Sequence, residues 1–201
     1  MQINIDKKTG VLLAIIALLG ATVISFAVNR DSDHMDDNGM GGHMSHNSTS
    51  ANYTGADIMF LQMMIPHHQQ AIDISNLAMK TSKDSELLAL AKKIAADQAA
   101  EIIQMKAWLN DAGAGMDMGH SMDGMGGMLN DAELSALNAE TGTKFDILWL
   151  KGMTGHHDGA IHMTTMIRDA SNPDIKAFGE KVIADQTAQI EQMKAMIKRL
   201  S

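Results

Sequence analysis

The residues best suited to chemistry come in two matched sets. His67-His68 and His156-His157 stand 89 positions apart, and each pair has a methionine three residues before its first imidazole, Met64 or Met153. Each pair directly follows a helix-weakening residue, Pro66 or Gly155, and each leads into Ala-Ile. On a helix, residues three and four apart share a face, so each thioether lies beside its imidazoles. Imidazole and thioether donors without a thiolate suit a soft metal ion, Cu(I) above others. With 0 Cys and 19 Met in the chain, zinc ribbons, iron–sulfur clusters and covalent c-type haem are excluded.

The second set carries further donors on the same helix: His162, Met163 and Met166, where the first has Asp73, Ile74 and Leu77. A count of soft donors therefore makes the second copy the tighter site. Downstream of each pair, Met105 and Met193 recur in stripes with Asp97 and Glu101, and with Asp185 and Gln189. Asp97 and Asp185 read as surface pairs, as outer-shell partners that orient a histidine, or as ligands. Met59, Met63 and Met79 read as core packing. Asp97-Gln98 and Asp185-Gln186 are 88 positions apart. One residue has been lost between the helices, and the duplicated unit is a whole helical hairpin.

Weaker candidates lie where no core can form. His34, Met35, Met40, His43, Met44 and His46 fall in a Gly-, Ser-, Asn- and Asp-rich stretch, residues 31–55. Met116, Met118, His120, Met122, Met125 and Met128 fall in a Gly- and Met-rich crossover, residues 111–129. The composition of residues 31–55 gives a disordered linker, read either as a metal-capturing arm or as a plain solvated tether, and the crossover reads as a ligand-rich connection between the hairpins.

These side chains need helices to position them. Only 2 Pro occur, helix-forming residues dominate, and apolar residues recur at helical spacing from Ala56 onward. Asp84, Asn130 with Glu133, and Asn172 with Pro173 are helix-start signals. The pattern predicts an all-α protein, a four-helix bundle of two duplicated helical hairpins over residues 56–201. Before it, Lys7 and Lys8 precede an apolar run from Val11 to Val28. Residues 1–30 are then a signal peptide cleaved after Ala27 or a retained N-terminal membrane anchor. Either form sends the rest across the membrane, to the periplasm or a periplasm-facing surface. The net charge of −8 argues against nucleic acid and anionic lipid as partners, leaving membrane contact to the N-terminal segment.

No Glu-x-x-His, the signature of carboxylate di-iron bundles, occurs, nor does a zincin motif. Haem held non-covalently by His and Met, a copper-dependent oxidoreductase, and a helical interaction module with a Met surface are the alternatives to a copper-capturing protein.

Three segments resemble the family known as domain of unknown function 305: Met63 to Ile72; Asp97-Gln98 with Glu101-Ile102 and Met105 to Leu109; and Phe145-Asp146 through Met163. The resemblance spans residues 55–200. It implies a ferritin-like helical bundle, an exported protein and, by analogy with members of the CopM type, copper binding in support of copper resistance. On that analogy the His pairs and the methionines after them are copper ligands. The function expected is capture of Cu(I), and of Ag(I) by the same donors, without catalysis. Another copper-transport protein would be the natural partner. Asp73, Ile74 and Gln189 depart from perfect duplication.

Overall fold

The computed structural model describes residues 53–116 and 126–201. The predicted N-terminal segment and the arm up to residue 52 lie outside these, as do Met118, His120, Met122 and Met125 of the crossover. All regular secondary structure among the described residues is helical. In chain order the helices are α1 (Gly55–Thr81), α2 (Ser85–Asp111), α3 (Asp131–Ala139), α4 (Gly142–Met163) and α5 (Pro173–Leu200). A 3-10 turn, Thr164–Ile167, continues α4. No helix among the described residues is long and apolar enough to cross a membrane.

The first N–H groups of a helix lack intrahelical partners, and this chain supplies them from side chains. Thr54 and Asp57 form a reciprocal capping box at α1: the Asp57 N–H donates to Thr54 Oγ1, and the Thr54 N–H donates to the Asp57 carboxylate. Asp84 accepts from the Leu87 N–H, and Asn130 with Glu133 repeats the box at α3. Asn172 accepts from Asp174 and Ile175, with Pro173 in the first turn, where its missing N–H costs nothing. Pro66 lies within α1 and does not end it.

The four long helices bury two separate apolar clusters. One joins Ile74 and Ala78 of α1, Leu87 to Ile94 of α2, Phe145 to Met153 of α4, and Ile190 to Met196 of α5. The other joins Phe60 to Met64, Ile102 to Leu109, Ala160 to Ile167, and Ile175 to Val182. Each helix thus gives one half to each cluster, and α1 and α4 run antiparallel, as do α2 and α5. Trp149, Phe60 and Phe145 are wholly buried; each such side chain stabilises the fold by about 1.5–3 kcal/mol. The Trp149 indole N–H donates to the Ile74 carbonyl at 2.9 Å, joining the two hairpins.

Between the clusters lies a polar belt. At mid-height each helix turns polar residues inward: His67 and His68 on α1, Gln98 and Glu101 on α2, His156 and His157 on α4, Gln186 and Gln189 on α5. The duplication is the reason. A hairpin with a polar middle, repeated and packed antiparallel on its copy, brings the two middles to one level.

Candidate metal centre

All four imidazoles of the belt are fully buried. His67 of α1 stacks against His156 of α4, ring centroids 3.8 Å apart at 42°. The two copies therefore meet in one layer. His68 turns toward α2, its Nε2 2.9 Å from Glu101 Oε2. His157 turns toward α5, its Nε2 2.6 Å from Gln189 Oε1. These two bonds are counterparts under the duplication, one to a carboxylate and one to an amide. His67 Nε2 lies 3.3 Å from the carbonyl of Gly126, the first described residue after the crossover's middle.

These partners fix the tautomers. A carbonyl, a carboxylate or an amide oxygen can only accept, so His67, His68 and His157 each donate from Nε2. For the neutral rings of His67 and His157 the lone pair then sits on Nδ1. The Nδ1 atoms of His67, His68 and His157 and both ring nitrogens of His156 are buried without a partner. An unpaired buried polar atom costs about 1–3 kcal/mol, so this concentration calls for an explanation.

Burial also keeps His67, His156 and His157 neutral. Burial pushes His67 down to about 3, with the neighbouring His68 adding to the effect. Burial pushes His157 down to about 4, against the pull of its bond to Gln189. His156 lies well below the ordinary range through burial and the adjacent imidazoles. Burial alone would raise Glu101, but its bonds with His68 and Lys181 outweigh this and hold it ionised. The Lys181 ammonium donates to Glu101 at 2.8 Å and to Asp185 at 2.7 Å.

The thioethers enclose the layer from both sides. Met64 and Met105 lie in one apolar cluster, and Met153 and Met193 lie in the other, all fully buried. Met163 is buried beside Ile167, and Met166 is half-buried at the same end. His162 is not brought to the layer. It is exposed, because six residues beyond His156 amounts to about 240° around the helix. Met116 is exposed and Met128 half-buried. Asp97 pairs with Lys93 on the surface, and Asp185 with Lys181. The stripe expected to run from Asp97 to Met105 in fact begins one residue later. Gln98, Glu101 and Met105 face inward, as do Gln186, Gln189 and Met193. A spacing of three and four residues holds one face, while the expected four and four drifts by about 80°.

Some residues at the belt carry no local signal of their role. Gln70, one turn after His67, bonds twice to Leu129: Gln70 Nε2 donates to the Leu129 carbonyl, and the Leu129 N–H donates to Gln70 Oε1, both at 2.8 Å. Gly127, at a φ of 87°, rests on α4; a Cβ there would come 2.6 Å from the Gly155 carbonyl and 2.8 Å from Gly159 Cα. A Cβ on Gly159 would collide with the backbone of Gly126 and Gly127. A Cβ on Gly155 would meet nothing, so that residue offers its carbonyl and no necessary vacancy. Asking why Gly152 and Gly159 stand where the first copy has Met63 and Gln70 would have pointed to a covered face.

Among the described residues no three His, Cys, Asp or Glu side chains converge closely enough to hold a metal ion by themselves, so a bound ion would need thioether donors as well. The donors buried at this level are the stacked imidazoles of His67 and His156, those of His68 and His157 beside them, and the thioethers one turn away. That set fits a soft cation of low charge and does not fit a hard, oxygen-seeking one.

The family model for DUF305, a domain of unknown function, matches residues 57–197. The chain belongs to the DUF305 family. Its fold is similar to that of a DUF305 fragment from Deinococcus radiodurans, at 28% identity and a TM-score of 0.68, covering 73% of this chain and 97% of that one. It is also similar to a DUF305 protein of Streptomyces coelicolor classed as secreted, at 28% identity and 0.67, covering 72% and 93%. CopM in its Cu(II)-bound form is 31% identical with a TM-score of 0.60, covering 72% and 97%. CopM has also been solved bound to Cu(I) and to Ag. These named neighbours are metal-binding or DUF305 proteins, and none is described as an enzyme. No curated protein sequence matches the chain.

Proposed function

We propose that this DUF305 protein captures Cu(I), and Ag(I) by the same chemistry, in the buried imidazole–thioether layer, and serves copper homeostasis or resistance outside the cytoplasm. The observation that carries the reading is the set of unpartnered imidazole nitrogens of His67, His68, His156 and His157, drawn from both copies and buried at one level. A metal ion is the ligand that relieves several unsatisfied lone pairs at once.

Charge argues for the lower oxidation state. Taking an ion out of water costs more as its charge rises, and the layer offers one carboxylate, Glu101, already paired with Lys181. A monovalent soft ion meets less of that penalty and suits the sulfur donors of Met64, Met105, Met153 and Met193. Met163 and Met166 extend this set at one end. His162, Met116, Met128 and the His/Met residues of the N-terminal arm and the crossover are proposed as weaker, outer sites. Among the described residues the four imidazoles are fully buried, which favours storage or transfer over an oxidoreductase. The apolar run from Val11 to Val28 exports the protein or anchors it. The metal's onward partner would be another copper-transport protein.

The test is titration with Cu(I) against a chromogenic chelator, with Zn(II) as competitor. One tight copper population should vanish when His67, His68, His156 and His157 are all replaced by Ala, and Zn(II) should not displace it. Displacement by equimolar zinc, or full copper binding in the variant, would overturn the reading.

A further inference from the structure

The imidazole layer is fully buried, so a captured ion needs a way in. The seam between α1 and α4, where His67 meets His156, is spanned by the backbone of Gly126 to Leu129. This strap touches both helices. On α1 its Gly126 carbonyl accepts from His67, and Gln70 bonds both polar groups of the Leu129 backbone. On α4 Gly127 lies against Gly155 and Gly159, and the Leu129 side chain packs on Gly152.

The two copies have diverged here in complementary ways. At matched positions the first helix has Met63 and Gln70, and the second has Gly152 and Gly159. One helix supplies the clamp and the other the space. Gly in mid-helix is unfavourable by about 1 kcal/mol relative to Ala, and two of them on one face, seven residues apart, are accounted for by the strap they receive.

We infer that Gln70 is a positioning residue acting through this strap, which holds His67 in its Nε2–H form and controls access of the metal to the layer. The inference rests on the imidazole layer being the metal site. With Gln70 engaged, Gly126 keeps a carbonyl on His67, and the strap backbone occludes the stacked pair. With the two bonds to Leu129 broken, Gly126–Leu129 can lift from the glycine face without unfolding a helix, because none of its residues is helical.

Two variants of the intact protein test this. Gln70→Ala removes the clamp. Gly159→Ala puts a methyl group into the strap backbone while improving the intrinsic helix propensity of α4. Without a metal, hydrogen exchange at the Leu129 amide should accelerate in both, while the amides of α1 and α4 keep their protection. With Cu(I)–bicinchoninate as donor and the same chelator as acceptor, the copper population lost in His67→Ala/His156→Ala is followed by stopped flow. Both its loading and its release should speed up by about tenfold or more, the shift expected from losing two neutral hydrogen bonds. The dissociation constant should change far less. Faster Leu129 exchange with unchanged copper rates would overturn the access role. A weaker dissociation constant without faster loading would do the same. If His67→Ala/His156→Ala loses no copper, the metal-site reading itself has failed, and Leu129 exchange still reports whether the clamp exists.

Discussion

The two hairpins began as copies and now differ at the places that touch the imidazole layer. The first anchors His68 on a carboxylate, Glu101, which Lys181 reaches from the other hairpin; the second anchors His157 on a neutral amide, Gln189. The first carries Gln70 and clamps the strap; the second carries Gly152 and Gly159 and makes room for it. Such pairs of changes are useful only in a fused duplication, because each compensates for something on the other copy. The lesson is that the hairpins meet in one imidazole layer, which counting donors on each helix separately misses.

The largest expected effect tests that pooling directly. By donor count, loss of His156 and His157 should be the more damaging. With His67 stacked on His156, His67→Ala/His68→Ala and His156→Ala/His157→Ala should instead lose the same copper. Each should weaken affinity by more than about a hundredfold, beyond the usual effect of losing an outer-shell partner. Chelator-competition titrations check this, with circular dichroism confirming helicity. Clearly unequal losses would restore two independent sites.

Next comes acid sensitivity of the metal-free protein, which sharpens the comparison between His67 and His157. Both are neutral when folded, lowered to about 3 and about 4 by burial, whereas unfolded histidine titrates near 6.5. Between those values the unfolded chain binds more protons, so stability is fully present above about pH 6.5 and falls as pH drops. The loss should reach a few kcal/mol by pH about 4.5, with His157 ceasing to contribute near pH 4 and His67 near pH 3. Urea midpoints across that range measure it. A flat profile would mean that the layer opens to water.

The smallest effect concerns the unequal anchors. Glu101→Gln retains an acceptor for His68 but removes the charge, making the first hairpin resemble the second. Copper affinity should fall by about tenfold, the lower range for an outer-shell partner. Gln189→Glu should move affinity the opposite way. Effects of equal sign from both changes would show that charge at these positions is not what matters.

Much of this was legible because it is local. The hairpin duplication, the caps at Asp84, Asn130 and Asn172, and the methionines one turn before each His pair follow from spacing alone. Three features were not. The inward stripe begins at Gln98 and Gln186, since a buried amide among acids gives no signal until the helix phase is known. His162 faces solvent because six residues carry it about 240° around the helix from His156, although the His/Met spacing with Met166 looked like a further ligand pair. The Gln70–Leu129 clamp joins residues 59 apart, and no local rule pairs a helix side chain with a distant turn of backbone.

The polar belt has a consequence for the life of the protein. A bundle whose middle is crossed by unsatisfied nitrogens is weakest at its waist, and an ion bound there is a ligand of the native state alone. Occupancy then adds stability in proportion to the logarithm of metal over its dissociation constant. Empty and loaded molecules will open at different frequencies, and proteases that act on the open form will remove the empty ones first. If the layer holds metal as proposed, the amount of protein that persists becomes a record of how much metal it has met, with no regulator needed to read it.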